Sequence, residues 1–128
     1  MYLLDTCTLL WLASDHSKLS QPALQALAEE ETTLFVSAIS AFELGIKHAK
    51  GALTLPMKPD RWYGECLDFH GLHEISVDGR IAARSTMLPR LHADACDRIL
   101  VATAQEHGLR ILTPDPLIRA YPRADTLW

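Results

Sequence analysis

The sequence predicts an α/β domain in which helices cover both faces of a mostly parallel sheet. Short apolar segments of strand length alternate along the chain with segments of helical spacing, which is typical of parallel sheets buried on both sides. The length of 128 residues is enough to enclose one well-packed core but too small for two. We therefore expect a single domain over residues 1–128.

The first predicted strand and helix meet at an acidic residue. Met1 to Leu4 form an apolar run that predicts a short buried strand ending at Asp5. Thr6 can then cap a helix over Cys7 to Ala13. An isolated acid directly after a buried strand has little value for packing, so Asp5 is a candidate functional residue.

A second helix and a second strand follow. Ser20 is a good N-cap and Pro22 suits a first helical turn, which predicts a helix that ends before the acidic run 29–31. The segment Thr33 to Val36 is apolar and rich in residues that favour strands.

The third helix carries a second candidate acid, Glu43. Ser37 is the better N-cap, and the helix is predicted to extend to about Lys50 and to stop at Gly51. Ser40 and Glu43 also fit a capping box, in which Glu43 would serve only its own helix. The sequence leaves both roles open.

The middle of the chain predicts a loop, a helix and a third strand. Pro56 and Pro59 bound the loop, and Trp62 to Phe69 have the spacing of a helix that ends near Gly71. Leu72 to Ser76 predict the strand. The aromatic side chains of this helix are expected to lie mainly in the core.

Two more helices are predicted in the second half of the chain. Asp78 can cap a helix over Ile81 to Leu88, and Asp94 can cap a longer one that ends at Gly108. Asp97 would lie near the third position of this last helix, where the helix dipole favours an acid. Structural roles for Asp94 and Asp97 therefore stay open.

The chain closes with a fourth strand, Leu109 to Thr113, and a last segment, Thr126 to Trp128, that is an edge strand or simply a terminus. Asp115 lies just beyond the fourth strand, between Pro114 and Pro116. Because Asp is common in turns for its own local hydrogen bonds, a purely structural role is the alternative at this position.

Four acids can converge in the predicted fold. Sites in such sheets form outside the carboxyl ends of the strands. Asp5 and Asp115 each follow a strand, while Glu43 and Asp97 lie in helices that can face the same crevice. Clustered carboxylates repel one another unless a cation offsets their charge. Mg²⁺ or Mn²⁺ suits oxygen ligands, and the matching chemistry is metal-assisted hydrolysis of a phosphodiester.

Composition constrains the partners. Twelve Lys and Arg against sixteen Asp and Glu give a net charge of −4, the wrong sign for a generally basic nucleic-acid-binding surface. Cations held by the acids would reverse that sign locally.

No apolar run is long enough to cross a membrane, and we expect a cytoplasmic protein. The three cysteines, Cys7, Cys66 and Cys96, are widely spaced and are expected to be buried free thiols.

Four segments together resemble the PIN-domain family, and within it the VapC-type toxins of bacterial toxin-antitoxin pairs. Residues 5–11 are similar to the opening motif Asp-Thr-His-x-Leu-Leu-Trp, and residues 37–44 to the second motif. Residues 92–102 are similar to the segment that contains His-x-Asp-Pro-Phe-Asp-Arg, and residues 113–115 to the closing Thr-x-Asp. Four motifs in the family's order are much more specific than any one of them.

The resemblance implies a three-layer αβα fold with a five-stranded parallel sheet and RNA cleavage that depends on Mg²⁺ or Mn²⁺. It implies that the acidic quartet consists of Asp5, Glu43, Asp97 and Asp115. Asp5 and Asp97 would bind the metal directly. The supporting residues would be Asp94, Thr6 and Thr113. The implied partners are an RNA substrate, a cognate antitoxin protein and a second copy of the chain in a homodimer.

The chain departs from the family pattern at two places. Cys7 replaces the expected histidine, and Ala95 and Cys96 replace a proline and a phenylalanine. Neither change removes an acid, so the departures bear on local packing and substrate preference rather than on catalysis.

Other protein classes fit less well. A haloacid-dehalogenase-type phosphotransferase needs a second Asp two positions after the first, where this chain has Cys7. A response-regulator receiver needs a lysine after a late strand, where this chain has Thr113 to Asp115. A non-catalytic PIN-like module that binds RNA or protein is the main alternative, because a fold does not by itself establish turnover.

The same acids suggest how an antitoxin would inhibit the protein. A guanidinium can pair with two carboxylate oxygens at once, so an Arg or Lys of the antitoxin can occupy the acidic cleft. We expect its apolar residues to lie in a groove walled by residues 44–52 and 62–69.

Overall fold

A five-stranded sheet in which every neighbouring pair is parallel runs through the computed structural model, which describes residues 1–128. The strand order is β3-β2-β1-β4-β5. The strands are β1 (Tyr2–Leu4), β2 (Leu34–Ser37), β3 (His73–Ile75), β4 (Arg110–Leu112) and β5 (Thr126–Leu127). The helices are α1 (Thr6–Ser14), α2 (Gln21–Ala28), α3 (Ala38–Ala49), α4 (Pro59–His70), α5 (Gly79–Thr86), α6 (Ala95–His107) and α7 (Pro116–Arg119), with a 3₁₀ turn at His16–Lys18.

The sheet divides the hydrophobic core of the domain into two clusters, one on each face. Successive side chains of a strand point to opposite faces, so Leu3 and Ile111 belong to one cluster while Leu4 and Leu112 belong to the other. Helices α5, α6 and α7 cover the first cluster, and α1 to α4 cover the second. The expected three-layer αβα architecture with a parallel, five-stranded sheet is confirmed.

The predicted N-caps are correct at four helices and wrong at one. Ser20, Ser37, Asp78 and Asp94 each accept a hydrogen bond from the first turn of the following helix. The first helix is different, because its N-cap is Asp5 and not Thr6. Thr6 lies inside the helix, where its hydroxyl is free to contact another element.

Two further differences concern helices that begin with a proline. Pro59 does not bound the loop but starts α4, since a proline at the first helical position loses no intrahelical hydrogen bond. The four-residue helix α7 was not predicted, because it is too short to show a hydrophobic period. The last segment is an edge strand, β5, and not merely a terminus.

The strand order places a crevice at the end of β1. The chain passes from β1 to β2 on one side of the sheet, whereas β4 lies on the other side of β1. Such a reversal of direction opens a space between the helices that follow the two neighbouring strands. Asp5 directly follows β1 and Asp115 follows β4, so both acids lie at this point.

None of the helices is long and apolar enough to span a bilayer.

Candidate functional site: an acidic cleft

A cleft of about 150 Å³ opens at this crevice, beside α3 and the start of α6. All four acids of the predicted quartet line it, together with Asp94 and Thr6. The lining residues are Asp5, Thr6, Cys7, Glu43, Lys47, Asp94, Cys96, Asp97, Leu100 and Asp115. The predicted convergence of the acids is therefore what the fold produces, although the roles of the individual acids are a separate question.

Asp5 is the most deeply buried acid of the cleft, with only 5% of its surface exposed. Its Oδ1 accepts a hydrogen bond from the backbone N–H of Thr8 at 2.8 Å, which caps α1. Its Oδ2 accepts one from the hydroxyl of Thr113 at 2.5 Å. Burial raises the pKa of Asp5 above its ordinary value, while the hydrogen bonds from Thr113 and Thr8 oppose the rise. A carboxylate has about four acceptor sites, so capping leaves Asp5 able to bind a cation as well.

Buried hydroxyls fix the base of the cleft. The Thr6 hydroxyl on α1 lies 2.9 Å from that of Ser40 on α3, and the Thr8 hydroxyl donates to the carbonyl of Leu112 at the end of β4 at 2.8 Å. Both contacts are buried and join elements that are far apart in sequence. They hold the start of α1 against α3 and β4, and thereby set the position of Asp5.

Glu43 lies in the second turn of α3 and has no capping role. The cap of this helix is Ser37, whose hydroxyl accepts from the N–H of Ile39 at 3.1 Å. Ser40, the other possible cap, uses its hydroxyl for Thr6. The capping-box alternative for Glu43 is therefore wrong, and its carboxylate lines the cleft without serving the helix end.

Asp94 and Asp97 stand together at the start of α6. Oδ1 of Asp94 accepts from the backbone N–H of Asp97 at 3.0 Å, so Asp94 is the N-cap and Asp97 occupies the third position. Oδ2 of Asp97 lies 3.2 Å from Nε2 of His92. Burial, followed by repulsion from Asp94, raises the pKa of Asp97 to about 6, although the hydrogen bond to His92 opposes the rise.

Asp115 combines a local role with a place in the cleft. Its Oδ1 accepts from the N–H of Leu117 at 2.9 Å and caps α7. Its own N–H donates to the hydroxyl of Thr113 at 3.1 Å. Since that hydroxyl also donates to Asp5, the buried Thr113 connects the two acids although it does not line the cleft itself.

The chemistry of these donors fits a divalent cation. Five carboxylates face Lys47, the one basic side chain among the lining residues. Repulsion among the acids contributes to the raised pKa values of Asp5 and Asp97, and a cation relieves such repulsion. The tightest group of donor atoms, all within 4.8 Å of one another, belongs to Glu43, Asp94 and Cys96, and not to Asp5 and Asp97.

Sequence reasoning missed three kinds of residue in or beside the cleft. Lys47 lies four residues after Glu43, so helical spacing on α3 could have placed the two on one face. Cys7 and Cys96 are free thiols as expected, but they are half-buried and line the cleft, and burial raises the pKa of both thiols. His92 begins the segment 92–102 that resembles a PIN-domain motif, yet nothing in the sequence predicts its contact with Asp97.

Comparison with known proteins identifies the family of the chain and one of its relatives. The PIN domain family matches residues 2–124. The chain is 32% identical over 129 residues to Ribonuclease VapC22 of Mycobacterium tuberculosis, covering 98% of this chain and 97% of that protein.

Solved structures share the fold at lower identity. VapBC2 from Rickettsia felis, bound to a DNA fragment from its promoter, matches with a TM-score of 0.70 at 16% identity, over 98% of this chain and 96% of that one. A toxin-antitoxin complex from Klebsiella pneumoniae matches with a TM-score of 0.68 at 24% identity, over 100% and 97% of the two chains. The family match, the relative at 32% identity and the shared fold lead to one conclusion: the chain belongs to the PIN domain family.

Proposed function

We propose that this protein is a metal-dependent endoribonuclease, the toxin of a toxin-antitoxin pair, which hydrolyses RNA phosphodiester bonds in the acidic cleft. The observation that carries the proposal is the convergence of Asp5, Glu43, Asp94, Asp97 and Asp115 on one small cleft. The similarity over nearly the whole chain to a protein named as a ribonuclease supports the same activity.

The four acids of the quartet would have different roles at the metal ion. We assign direct binding of Mg²⁺ or Mn²⁺ to Asp5 and Asp97, and we assign Glu43 and Asp115 to the remainder of the catalytic quartet. Such an ion, when bound, lowers the pKa of an attacking water and stabilises negative charge on the phosphate. Because hard cations prefer oxygen, the carboxylates are better ligands for it than the protonated thiol of Cys96.

Other residues in or beside the cleft would position the acids. Thr113 fixes Oδ2 of Asp5, Thr6 fixes the start of α1 through Ser40, and Asp94 orients the first turn of α6. Lys47 offers the cleft a positive charge that can contact an RNA phosphate. These contacts keep the acids in place before a substrate arrives, which lowers the cost of reorganisation during the reaction.

An antitoxin is the proposed regulatory partner. The solved relatives from Rickettsia felis and Klebsiella pneumoniae are described as VapBC2 and as a toxin-antitoxin complex. A groove of about 470 Å³ lies along α4, where it is lined by Trp62 and Phe69, and Phe69 is 85% exposed instead of buried in the core. Its other wall is the end of α1 with Pro56 and Met57, whereas residues 44–52, which run from α3 into the turn after it, do not line it. An amphipathic segment of the antitoxin can cover this groove.

We further propose that the protein acts as a homodimer in the cytoplasm. Phe42 and Ile46 lie one turn apart on α3 and are 59% and 40% exposed. Apolar side chains so placed are suited to contact with another protein chain. Light scattering on the purified protein measures the assembly directly, and a monomeric mass at micromolar concentration would contradict the dimer.

Cleavage of single-stranded RNA by the purified protein tests the proposed activity. We expect cleavage with Mg²⁺ or Mn²⁺ and none with excess EDTA, since the acids cannot themselves supply positive charge to the phosphate. Asp5→Asn should abolish cleavage and leave the protein folded. Asp78→Asn is the matched control, because Asp78 also caps a helix through the N–H three residues on, but at α5 outside the cleft.

Two results would contradict the proposal. Cleavage that is undiminished in EDTA would exclude a metal-dependent reaction. Folded protein that binds Mn²⁺ but cleaves neither RNA nor DNA would favour the non-catalytic module instead.

A further inference from the structure

We propose that His92 is a positioning residue that holds the Asp97 carboxylate for metal binding, and that Tyr121 and Arg98 set the direction of its hydrogen bonds. The inference rests on the proposed function, in which Asp97 is a metal ligand. Four side chains form one continuous chain of contacts. Nε2 of His92 lies 3.2 Å from Oδ2 of Asp97, and Nδ1 of His92 lies 3.1 Å from the hydroxyl of Tyr121. The guanidinium of Arg98 donates to that hydroxyl at 3.3 Å.

The chemistry of the side chains determines which atom donates and which accepts in each of these hydrogen bonds. A guanidinium donates and never accepts, so the Tyr121 oxygen accepts from Arg98. The single hydroxyl hydrogen of Tyr121 then points to Nδ1 of His92, which accepts it. A neutral imidazole carries its hydrogen on the other nitrogen, and Nε2 therefore donates to Asp97.

Burial reinforces this direction. Tyr121 is 2% exposed and the side chain of His92 is 10% exposed, so polar hydrogens here depend on partners within the protein. If Nδ1 carried a hydrogen, the Tyr121 oxygen would accept twice, and its own hydrogen would lose its acceptor. A buried hydroxyl without a partner is costly, so the network favours the tautomer with hydrogen on Nε2.

Arg98 also fixes the segment that carries His92. Its guanidinium donates to the carbonyl oxygens of Leu88 at 2.9 Å, Pro89 at 3.0 Å and His92 at 3.5 Å. These bonds tie the connection between α5 and α6 to the helix on which Asp97 lies. The imidazole therefore reaches Asp97 from a fixed backbone.

The consequence for the cleft is that Asp97 is held at two points, once by its backbone and once by its carboxylate. The backbone N–H of Asp97 is bound by Asp94, and its Oδ2 is bound by His92, which restricts rotation of the carboxylate. Hydrogen-bond partners of this kind orient metal ligands, and their loss typically weakens metal affinity or activity by about 10–100-fold. His92 thus acts through Asp97 and does not itself bind the metal.

The test compares His92→Asn with His92→Gln in the full-length protein. The side-chain amide of Gln reaches about as far as Nε2 and can still donate to Asp97, whereas that of Asn reaches only about as far as Nδ1. We expect His92→Asn to weaken Mn²⁺ affinity by about 10–100-fold, and His92→Gln to restore much of it. Calorimetric titration with Mn²⁺ measures this independently of RNA cleavage. His107→Asn, at the exposed end of the same helix, is the control and should bind Mn²⁺ as the unmodified protein does.

Nitrogen NMR of the imidazole provides a second readout that needs no metal. The His92 signals should show the tautomer with hydrogen on Nε2, and Tyr121→Phe should mix the two tautomers without unfolding the chain.

Three outcomes would overturn the inference. The first is a hydrogen on Nδ1 in the unmodified protein. The second is Mn²⁺ affinity that His92→Asn leaves unchanged. The third is an equal loss of affinity in the Asn and Gln variants that follows their loss of thermal stability, which would indicate a purely structural role. Failure of the unmodified protein to bind Mn²⁺ is a different result, since it would remove the proposed function and this inference with it.

Discussion

At the residue scale, Asp97 shows that the clustered acids of the cleft lower the stability of the folded protein. Burial favours the neutral form of its carboxyl group, and the nearby acids, Asp94 first among them, favour it further. The hydrogen bond to His92 favours the charged form but does not cancel these effects, so the pKa stays near 6. Near pH 7 the Asp97 carboxylate is still mostly charged, although its surroundings destabilise that charge. Shifted groups of this kind are common at functional sites.

The first prediction follows from that pKa. Asp97 has a pKa of about 6 in the folded protein, against an ordinary value of 3.8. Between these values the folded state holds a proton on Asp97 that the unfolded state has lost, so the contribution of Asp97 to the free energy of unfolding of the metal-free protein falls as the pH rises from 4 to 6. Asp97→Asn removes this contribution. The melting temperature of the variant, relative to the unmodified protein, should therefore increase between pH 4 and pH 7 in EDTA. A difference that is independent of pH would contradict this assignment.

The second prediction concerns Glu43. Since Ser37 caps α3, the charge of Glu43 is not needed by the helix. Glu43→Gln should leave the melting temperature nearly unchanged and lower the rate of RNA cleavage by at least about tenfold, because a neutral amide is a poor replacement for an anionic ligand. Glu65→Gln, on the exposed face of α4, is the matched control. Near-normal cleavage by the Glu43 variant would exclude it from the catalytic quartet.

At the element scale, Thr113 joins the ends of two neighbouring strands, β1 and β4. It follows β4, its hydroxyl donates to Asp5 at the end of β1, and the same oxygen accepts the N–H of Asp115. The residue is fully buried. One hydroxyl therefore sets the relative positions of two acids that belong to different elements.

The third prediction tests this link. Thr113→Val keeps the shape of the side chain but leaves buried polar groups without a partner, so we expect a loss of about 1–3 kcal/mol in the free energy of unfolding. Cleavage should fall as well, since Asp5 loses the hydrogen bond that orients it. Thr113→Ser retains the hydroxyl and should retain most of both properties. Equal behaviour of the Val and Ser variants in chemical denaturation and cleavage assays would show that the hydroxyl is unimportant.

The sequence predicted these elements unevenly. The central strands and the caps at Ser37, Asp78 and Asp94 were correct, because apolar runs and capping residues act over only a few positions. Helix α7 was missed because four residues carry no period. The cap of α1 was wrongly assigned to Thr6, because the carboxylate of Asp5 accepts the first-turn N–H of Thr8 and the Thr6 hydroxyl contacts Ser40 instead.

At the scale of the whole molecule, charge is distributed unfavourably for a nuclease without metal. The net charge is −4, and five carboxylates surround the cleft in which RNA would have to bind. A bound divalent cation reverses the local sign and removes much of the repulsion between the acids. Metal binding should therefore stabilise the entire fold.

The fourth prediction measures that stabilisation. A ligand that binds only the folded state at 100 times its Kd adds about 2.7 kcal/mol to the free energy of unfolding. For a chain of this size we expect the melting temperature to rise by roughly 10 °C when Mn²⁺ is present at 100 times its Kd. Asp97→Asn should lose most of the rise. An equal rise in this variant would place the ion elsewhere.

The fifth prediction concerns the antitoxin. An Arg or Lys from the antitoxin that enters the cleft would pair with the acids and compete with the metal. Removing that basic side chain should restore cleavage more than it weakens the complex, since apolar contacts along the α4 groove would remain. Cleavage and affinity measured on the same complex separate the two effects. A complex whose cleft stays open to metal and RNA would refute this mechanism.

The sequence by itself determined the alternation of strands and helices, and it determined that Asp5 and Asp115 follow parallel strands. These features depend on neighbours within a few residues, where apolar spacing and capping chemistry act. Only the tertiary structure decided which side chains meet across the cleft. The contact between Thr113 and Asp5 spans 108 positions, and that between His92 and Tyr121 spans 29. Such pairs depend on the strand order and on the packing of helices against both faces of the sheet, which burial of the two clusters fixes for the chain as a whole.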